Sequence, residues 1–396
     1  MPSPIAVFGT RQPLRISGAA LLLVFFFPAA HPPASACTGF LISDGKSVLA
    51  GNNEDYWNPN TEVRFVPAGD GRYGRVYFGF DDGPLQGGMN EKGLFFDGFA
   101  TAPNRVETTA DLPTLLGNPI DNAMALCATV DEVVDFFHAH DRRYMERFML
   151  FFGDASGDAV IIEGDKLLRK SGPFQVITNF YQSETDEPLK ACGRYRAATG
   201  ILEKAQKIDV ELCIQVLDST HADGRAKTLY SNVYDLKKRI VYVYHFFDFE
   251  KVVVFDLEKE LAKGARTLKL PELFPLKPAA EAFRQFHAQT KEDKRAALKA
   301  VKLKAEALER CAGTFRMVTG DSTDELVELV VEEGTLKHKT EGGGRRELIP
   351  QSKTRFTILS NEMNVTVVFE GVTETSSATG FVVTWDEGSA RAERVD

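Results

Sequence analysis

The chain has 396 residues, of which 43% are hydrophobic and 26% are charged, and its formal net charge is −9. This composition is that of an ordinary globular protein, and the length is enough for two or three domains. The acidic balance argues against nucleic acid or an anionic membrane surface as a partner.

The N-terminal segment has the pattern of an export signal. Arg11 and Arg15 precede an apolar run at 19–30, and small residues (Ala-Ser-Ala) occupy 34–36, as signal peptidase requires. The apolar run is too short for a stable membrane helix, and no later apolar run is long enough to span a bilayer. We therefore expect residues 1–36 to be removed as a signal peptide and the protein to be exported, to the periplasm or as a secreted protein, with no integral membrane segment left.

Removal of the signal would make Cys37 the first residue of the mature protein. An N-terminal cysteine carries a thiol and a free α-amine, with reference pKa values of about 8.5 and about 8. The amine can therefore act as the base for the thiol of the same residue near neutral pH. Two other interpretations remain. Cys37 could be a lipoprotein cysteine, although Ala34 stands where such sites usually carry Leu, or it could be an ordinary buried thiol.

The remaining cysteines give no sign of a metal site. They are Cys127, Cys192, Cys213 and Cys311, and none belongs to a Cys-x-x-Cys pair. We expect neither a metal nor another cofactor. An exported protein with these cysteines could form one or two disulfides, which the sequence does not assign.

The first predicted element is a β-hairpin at 37–50 with its turn at 43–46. A polar stretch, Gly-Asn-Asn-Glu-Asp, follows at 51–55. A carboxylate placed soon after the second strand can reach back to the start of the first, so Asp55 could hydrogen-bond the amine or thiol of Cys37. The alternative is a loop aspartate in an Asn-rich turn.

Alternating strands and helices continue to about residue 265 and predict a layered α+β domain. Residues 87–94 are interpreted as a polar turn, and one long helical stripe covers 119–140. The other predicted strands are two within 62–80 (63–66 and 76–80) and those at 95–100, 148–152, 159–162, 174–179, 228–234, 240–247 and 252–255. The other predicted helices are 191–207 and 209–218.

The rest of the chain divides into two parts. Residues 266–310 are predicted to be a linker, with Pro271 and Pro275, followed by a helix or helix pair rich in Ala, Lys and Glu. Residues 311–396 consist of short alternating segments separated by turns, which predict a small all-β domain, either a barrel or a sandwich. Nothing in this second part looks catalytic.

Five motifs in order then suggest a family. They are Cys-Thr-Gly-Phe at 37–40, Gly-Asn-Asn-Glu-Asp at 51–55, Gly-Met-Asn-Glu-Lys-Gly-Leu at 88–94, Ile-Thr-Asn at 177–179 and Gly-Arg-Tyr at 193–195. The series resembles the choloylglycine hydrolase and penicillin V acylase family, over roughly residues 37–265. This resemblance implies an N-terminal-nucleophile (Ntn) hydrolase domain with an αββα four-layer sandwich, which cleaves a linear amide C–N bond.

The resemblance also implies roles for individual residues. Cys37 matches the nucleophile, and Asp55 matches the aspartate that orients the nucleophile and its amine. Asn179 matches the asparagine that contacts the amine and helps to form the oxyanion hole. Arg194 matches the arginine that stabilises the thiolate.

Two positions depart from the family pattern, and both bear on substrate binding. Asn52 stands where family members often have arginine. Ala100 falls where the second oxyanion donor is Asn or Tyr, and its side chain has no donor, so a backbone N–H near Phe99 or Ala100 is the remaining candidate. We therefore assign Asn52, Phe99 and Ala100 to the substrate-binding region.

The sequence favours hydrolysis of a small-molecule N-acyl amide through a thioester. One alternative is acyl transfer, in which the same thioester passes its acyl group to an amine. An alternative of another class is an exported, lipid-anchored binding protein with an inactive Ntn-like domain. The sequence does not identify the amide.

Overall fold

The computed structural model describes residues 37–81, 85–102, 104, 106, 112–113, 118–224, 226–298, 300–318, 326–339, 345–359, 365–385 and 388–395. The predicted signal peptide at 1–36 lies outside the described residues. Within these ranges, none of the helices combines the length and the apolar character that a bilayer crossing requires.

Residues 38–269 form strands and helices in an alternating order. The strands are β1 (Thr38–Ser43), β2 (Val48–Tyr56), β3 (Thr61–Val66), β4 (Arg75–Phe80), β5 (Leu85–Asn90), β6 (Phe95–Ala100), β7 (Phe148–Gly153), β8 (Ala159–Glu163), β9 (Lys166–Arg169), β10 (Phe174–Thr178), β11 (Lys227–Asp235), β12 (Ile240–His245), β13 (Asp248–Asp256) and β14 (Arg266–Lys269). The helices are α1 (Pro119–Leu126), α2 (Val130–His138), α3 (Pro188–Ala191), α4 (Gly193–Leu202), α5 (Val210–Thr220) and α6 (Leu257–Leu261).

These strands form two antiparallel sheets. The first sheet has the order β10-β1-β2-β11-β12-β13, and the second has the order β14-β3-β4-β5-β6-β7-β8-β9. The mixed helix and sheet content confirms the predicted α+β class. The edge strand β14 lies in the segment that the sequence assigns to a linker and pairs with β3.

The predicted hairpin at the start of the domain is confirmed. Strands β1 and β2 pair from Ser43 with Val48 to Thr38 with Asn53. The Asp44 carboxylate closes the turn, because its Oδ1 accepts the backbone N–H groups of Lys46 and Ser47 at 2.9 and 2.7 Å. The hairpin fixes which residues of β1 and β2 share a face.

Apolar side chains from both sheets form one large core cluster. The strands alternate, so every second residue faces this interior. Residues of the first sheet in the cluster include Leu41, Ala50, Tyr230 and Tyr234, and residues of the second include Phe78, Phe95, Phe99 and Phe151. Two further clusters join the first sheet to α4 and α5, and the second sheet to α1 and α2.

Two local predictions are wrong. The stretch 87–90 belongs to β5, and only 91–94 forms the turn. A Cβ at Gly88 would lie 2.3 Å from the Val76 carbonyl oxygen, so a glycine is needed there for the neighbouring strand to pack closely. The helical stripe 119–140 is two helices, because Thr129 and Glu132 form a capping box that starts a new helix.

The C-terminal part begins with helices α7 (Pro278–Ala297) and α8 (Ala305–Glu309), which confirm the helical interpretation of that region. A closed barrel follows, built from β15 (Gly313–Val318), β16 (Leu326–Glu332), β17 (Thr335–Lys339), β18 (Arg345–Pro350), β19 (Arg355–Ile358), β20 (Val365–Glu370), β21 (Gly380–Trp385) and β22 (Gly388–Arg394). Its interior is filled by apolar side chains, among them Phe315, Phe356, Phe369 and Phe381. The predicted small β-domain is thus a barrel.

Candidate active site

Cys37 lies directly before β1, between β10 and β2 of the first sheet. Its side chain is 2% exposed and belongs to the core cluster between the sheets. Because both neighbouring strands are hydrogen-bonded to β1, the position of the residue is fixed from two sides. Such a rigid setting suits a nucleophile that must be aimed at a carbonyl carbon.

The Cys37 thiol has two described acceptors on β2. Its Sγ lies 3.9 Å from Glu54 Oε1 and 3.9 Å from the backbone oxygen of Asp55. The hairpin register explains the first contact, since pairing of Thr38 with Asn53 brings Cys37 opposite Glu54. A carboxyl group that the sequence analysis did not single out therefore lies beside the sulfur.

The Asp55 side chain points to the other face of β2. Its Oδ1 accepts a hydrogen bond from the hydroxyl of Thr228, which is its cross-strand partner on β11. Burial raises the pKa of the Asp55 carboxyl to about 7, while the Thr228 hydrogen bond and the positive charge of Arg194 act to lower it. Asp55 is thus poised to change its charge near neutral pH.

Arg194 lies in the first turn of α4 and reaches back to the start of β1. Its Nη1 donates to the backbone oxygen of Cys37 and, at 3.1 Å, to Oγ1 of Thr38. Its Nη2 donates to Oδ1 of Asn179 at 3.2 Å. The planar guanidinium therefore holds the main chain of Cys37 and the side chain of Asn179 at the same time.

Asn179 follows the end of β10 and is oriented at both ends of its amide. Its Oδ1 accepts from Arg194, and its Nδ2 donates to the backbone oxygen of Ala100 at 2.8 Å. Ala100 is exposed at the end of β6, and its backbone oxygen is the acceptor of this hydrogen bond. One of the two N–H bonds of Nδ2 is used in that contact.

The other two residues assigned to substrate binding are fully buried. Phe99 packs against β1 so closely that a Cβ on Gly39 would lie 2.6 Å from its ring. Asn52 lies on β2 opposite Gly39, and neither polar atom of its amide has a hydrogen-bond partner within the described part of the chain.

The structure thus brings together the four residues predicted to be catalytic: Cys37, Asp55, Asn179 and Arg194. A thiol, a permanent cation and an oriented amide lie around one strand end, and the Asp55 carboxyl lies on the other face of β2. Such a set can activate a sulfur nucleophile and stabilise negative charge next to it. No disulfide joins the five cysteines, all of which lie in the described ranges.

Sequence reasoning missed Glu54 and Thr228. A signal for Glu54 was present, because a hairpin that pairs Ser43 with Val48 must bring Cys37 opposite Glu54. Thr228 gave no comparable signal, since its contact with Asp55 joins strands far apart in sequence.

Comparisons with known proteins find matches among solved structures alone. No family model and no curated protein matches the sequence. Among solved structures, penicillin V acylase from Agrobacterium tumefaciens matches with a TM-score of 0.46 and 20% identity, over 59% of this chain and 92% of that chain. Two variants of conjugated bile acid hydrolase from Clostridium perfringens match with TM-scores of 0.44 and 0.45, each at 17% identity, over 59% and 61% of this chain and 96% and 99% of theirs.

Proposed function

We propose that this chain is an exported amidohydrolase that cleaves the linear, non-peptide C–N bond of an N-acyl amide with Cys37 as an N-terminal nucleophile. The observation that carries the proposal is the contact of Arg194 with both the backbone oxygen of Cys37 and the Asn179 side chain, next to a thiol that lies beside the backbone oxygen of Asp55. That cysteine directly follows the predicted signal cleavage site.

Removal of residues 1–36 would give Cys37 a free α-amine. In the proposed reaction this amine takes the thiol proton, and the thiolate attacks the amide carbonyl carbon. The positive charge of Arg194 favours the thiolate, because a nearby cation lowers a thiol pKa. Asp55 in its ionised form holds the protonated amine in place.

The resulting oxyanion needs hydrogen-bond donors. The second N–H of the Asn179 amide is the proposed first donor, since the first N–H is held by Ala100. A backbone N–H of the segment 99–100 is the proposed second donor. Loss of one such donor typically lowers the rate by about 10²–10³-fold.

Collapse of the tetrahedral intermediate breaks the C–N bond. The leaving amine takes the proton held by the α-ammonium of Cys37, and the acyl group stays on the sulfur as a thioester. Water, deprotonated by the same α-amine, then hydrolyses the thioester and returns the free thiol. No cofactor is needed for these steps.

We also propose that the catalytic domain has the four-layer αββα order. The core clusters support this order, because helices α4 and α5 pack on the first sheet and helices α1 and α2 pack on the second, while both sheets contribute to a shared interior.

An activity panel tests the proposal. The protein that begins at Cys37 is incubated with N-acyl amides, including penicillin V, conjugated bile acids and N-acyl amino acids, with and without an added amine acceptor. We expect hydrolysis of at least one of them, and we expect Cys37→Ser to fold and to lose more than nine-tenths of the turnover. Cys127→Ser, which removes a buried thiol on helix α1's C-terminal side, is the control and should retain activity. Full activity of Cys37→Ser, or an acyl group found only on the amine acceptor, would contradict hydrolysis by Cys37.

A further inference from the structure

A group of buried polar side chains lies between the two sheets beside Cys37, and the proposed hydrolysis gives none of them a chemical step. We call it the interior polar cluster. Its members are Asn52, Glu54, Asp97, Tyr230, Asn232 and Tyr234, each at most 2% exposed.

The strand registers explain why these residues face one another. On the first sheet, Tyr230 pairs with Glu54 and Asn232 pairs with Asn52, so their side chains share the inner face. On the second sheet, Asp97 lies between Phe95 and Phe99, which both belong to the core between the sheets. These five polar side chains are thereby placed inside an otherwise apolar interior.

Several polar atoms of the cluster have no hydrogen-bond partner among the described residues. They are Glu54 Oε2, both carboxyl oxygens of Asp97, both amide atoms of Asn52, Tyr230 Oη and Asn232 Oδ1. No lysine, arginine or histidine of the described ranges pairs with Glu54 or Asp97. A charged carboxylate in such a place would be strongly disfavoured.

The surroundings of Glu54 also favour its protonated form. Burial raises the pKa of Glu54 well above its usual range, and the nearby Asp55 carboxylate raises it further, against the hydrogen bond from Cys37. Burial and the Glu54 charge likewise raise the pKa of Asp97. Tyr230 and Tyr234, the other titratable groups of the cluster, also face both carboxyl groups.

We propose that Glu54 is a further catalytic residue, a protonated carboxylic acid that hydrogen-bonds the sulfur of Cys37, and that the interior polar cluster keeps it in this form. This inference rests on the proposed function of Cys37. In the resting enzyme the thiol donates to Glu54 Oε1, as observed at 3.9 Å. When the thiol proton moves to the α-amine, a turn of the carboxyl group lets its O–H donate to the thiolate. The proton of Glu54 stays on Glu54 throughout.

If Glu54 were ionised instead, it would raise the thiol pKa of Cys37 rather than stabilise the thiolate. Two unit charges separated by the observed 3.9 Å repel strongly enough, at an effective dielectric constant of about 20, to raise the thiol pKa by about three units. Substitution by glutamine separates the two cases, since glutamine is neutral, has nearly the same shape and keeps a donor.

The test is the pH dependence of alkylation of Cys37 by iodoacetamide, with the modified peptide identified by mass spectrometry so that Cys192 and the other thiols do not contribute. In Glu54→Gln the thiol pKa is expected to stay within about half a unit of the wild-type value. In Glu54→Met, which has no donor, it is expected to rise by at least about one unit, so that alkylation at neutral pH slows about tenfold. Glu62→Gln, on the second sheet, is the control and should change neither value.

Three results would overturn the proposal. A fall of the Cys37 thiol pKa by a unit or more in Glu54→Gln would show that Glu54 is ionised in the wild type. Failure of Glu54→Gln to fold would show that the fold needs the charge of Glu54. Alkylation at the wild-type rate in Glu54→Met would show that Glu54 has no role. Should Glu54→Met fail to fold, Glu54→Gln decides alone. Alkylation does not depend on amide turnover, so this result stands apart from the outcome of the activity panel.

Discussion

Replacement of Thr228 by valine tests whether the charge of Asp55 controls the reaction. The Thr228 hydroxyl accepts the backbone N–H of Ala222 at 2.8 Å and donates to Asp55. Valine keeps the shape and removes both hydrogen bonds. Serine keeps the hydroxyl and serves as the matched control.

The magnitude follows from the pKa of Asp55, which burial raises to about 7. A hydrogen bond to a charged acceptor contributes about 1.5–3 kcal/mol, which equals about one to two pKa units. The pKa of Asp55 in Thr228→Val is therefore expected at about 8–9. At neutral pH the ionised fraction then falls from about one half to between roughly a tenth and a hundredth, so kcat/KM falls about five- to fifty-fold.

The assay is the pH profile of kcat/KM for the wild type, Thr228→Val and Thr228→Ser. In Thr228→Val the acidic limb is expected to move upward by about one to two units, with activity recovered at high pH, and in Thr228→Ser it should stay in place. A uniform loss of activity at every pH would mean that valine only disturbs the structure. An unshifted profile in a folded Thr228→Val protein would refute the role given to Asp55.

Three further predictions concern other parts of the domain. Gly39→Ala would place a Cβ 2.6 Å from the Phe99 ring, whereas a Cβ at Gly98 has no neighbour nearer than 3.4 Å; urea unfolding should show a loss of about 1–3 kcal/mol for Gly39→Ala and clearly less for Gly98→Ala. Arg194→Lys cannot keep all three hydrogen bonds, so kcat/KM should fall at least about tenfold without loss of the fold, and unchanged kinetics would contradict the assignment. Burial lowers the pKa of His245 to about 4. Below about pH 6.5 the unfolded chain therefore binds more protons than the folded protein, and the free energy of unfolding should fall by about 3 kcal/mol as the pH drops to about 4. This contribution should be absent in His245→Gln.

The local pattern of the sequence was enough to predict the hairpin and the position of Cys37. Alternation of apolar residues and the turn at 43–46 fixed both, since these signals involve neighbours in the chain. The place of Asp55 after the second strand of the hairpin also marked it as a candidate. Asn179 and Arg194 came from the family resemblance alone, because their meeting with Cys37 depends on a strand and a helix that are distant in sequence.

Several strands and the interior polar cluster could not be predicted from the sequence. Two adjacent glycines at 87–88 are typical of a turn. Here they lie in β5, and their lack of side chains lets the Val76 carbonyl and an oxygen of Asp97 approach closely. Strands β18 and β22 carry several charged residues, so no alternation of apolar and polar residues marks them as strands in the sequence. The interior polar cluster arises only where two sheets meet, and single strands give no sign of it.

The central claim is that export leaves Cys37 as a free N-terminal nucleophile. The most direct measurement is mass spectrometry of the exported protein after brief incubation with a cleavable N-acyl amide and quenching in acid. We predict a mature chain that begins at Cys37 and carries the acyl group of the substrate as a thioester on that residue, removable by hydroxylamine. A chain that begins elsewhere, a diacylglyceryl group on Cys37, or turnover with no acyl group on its sulfur would contradict the account.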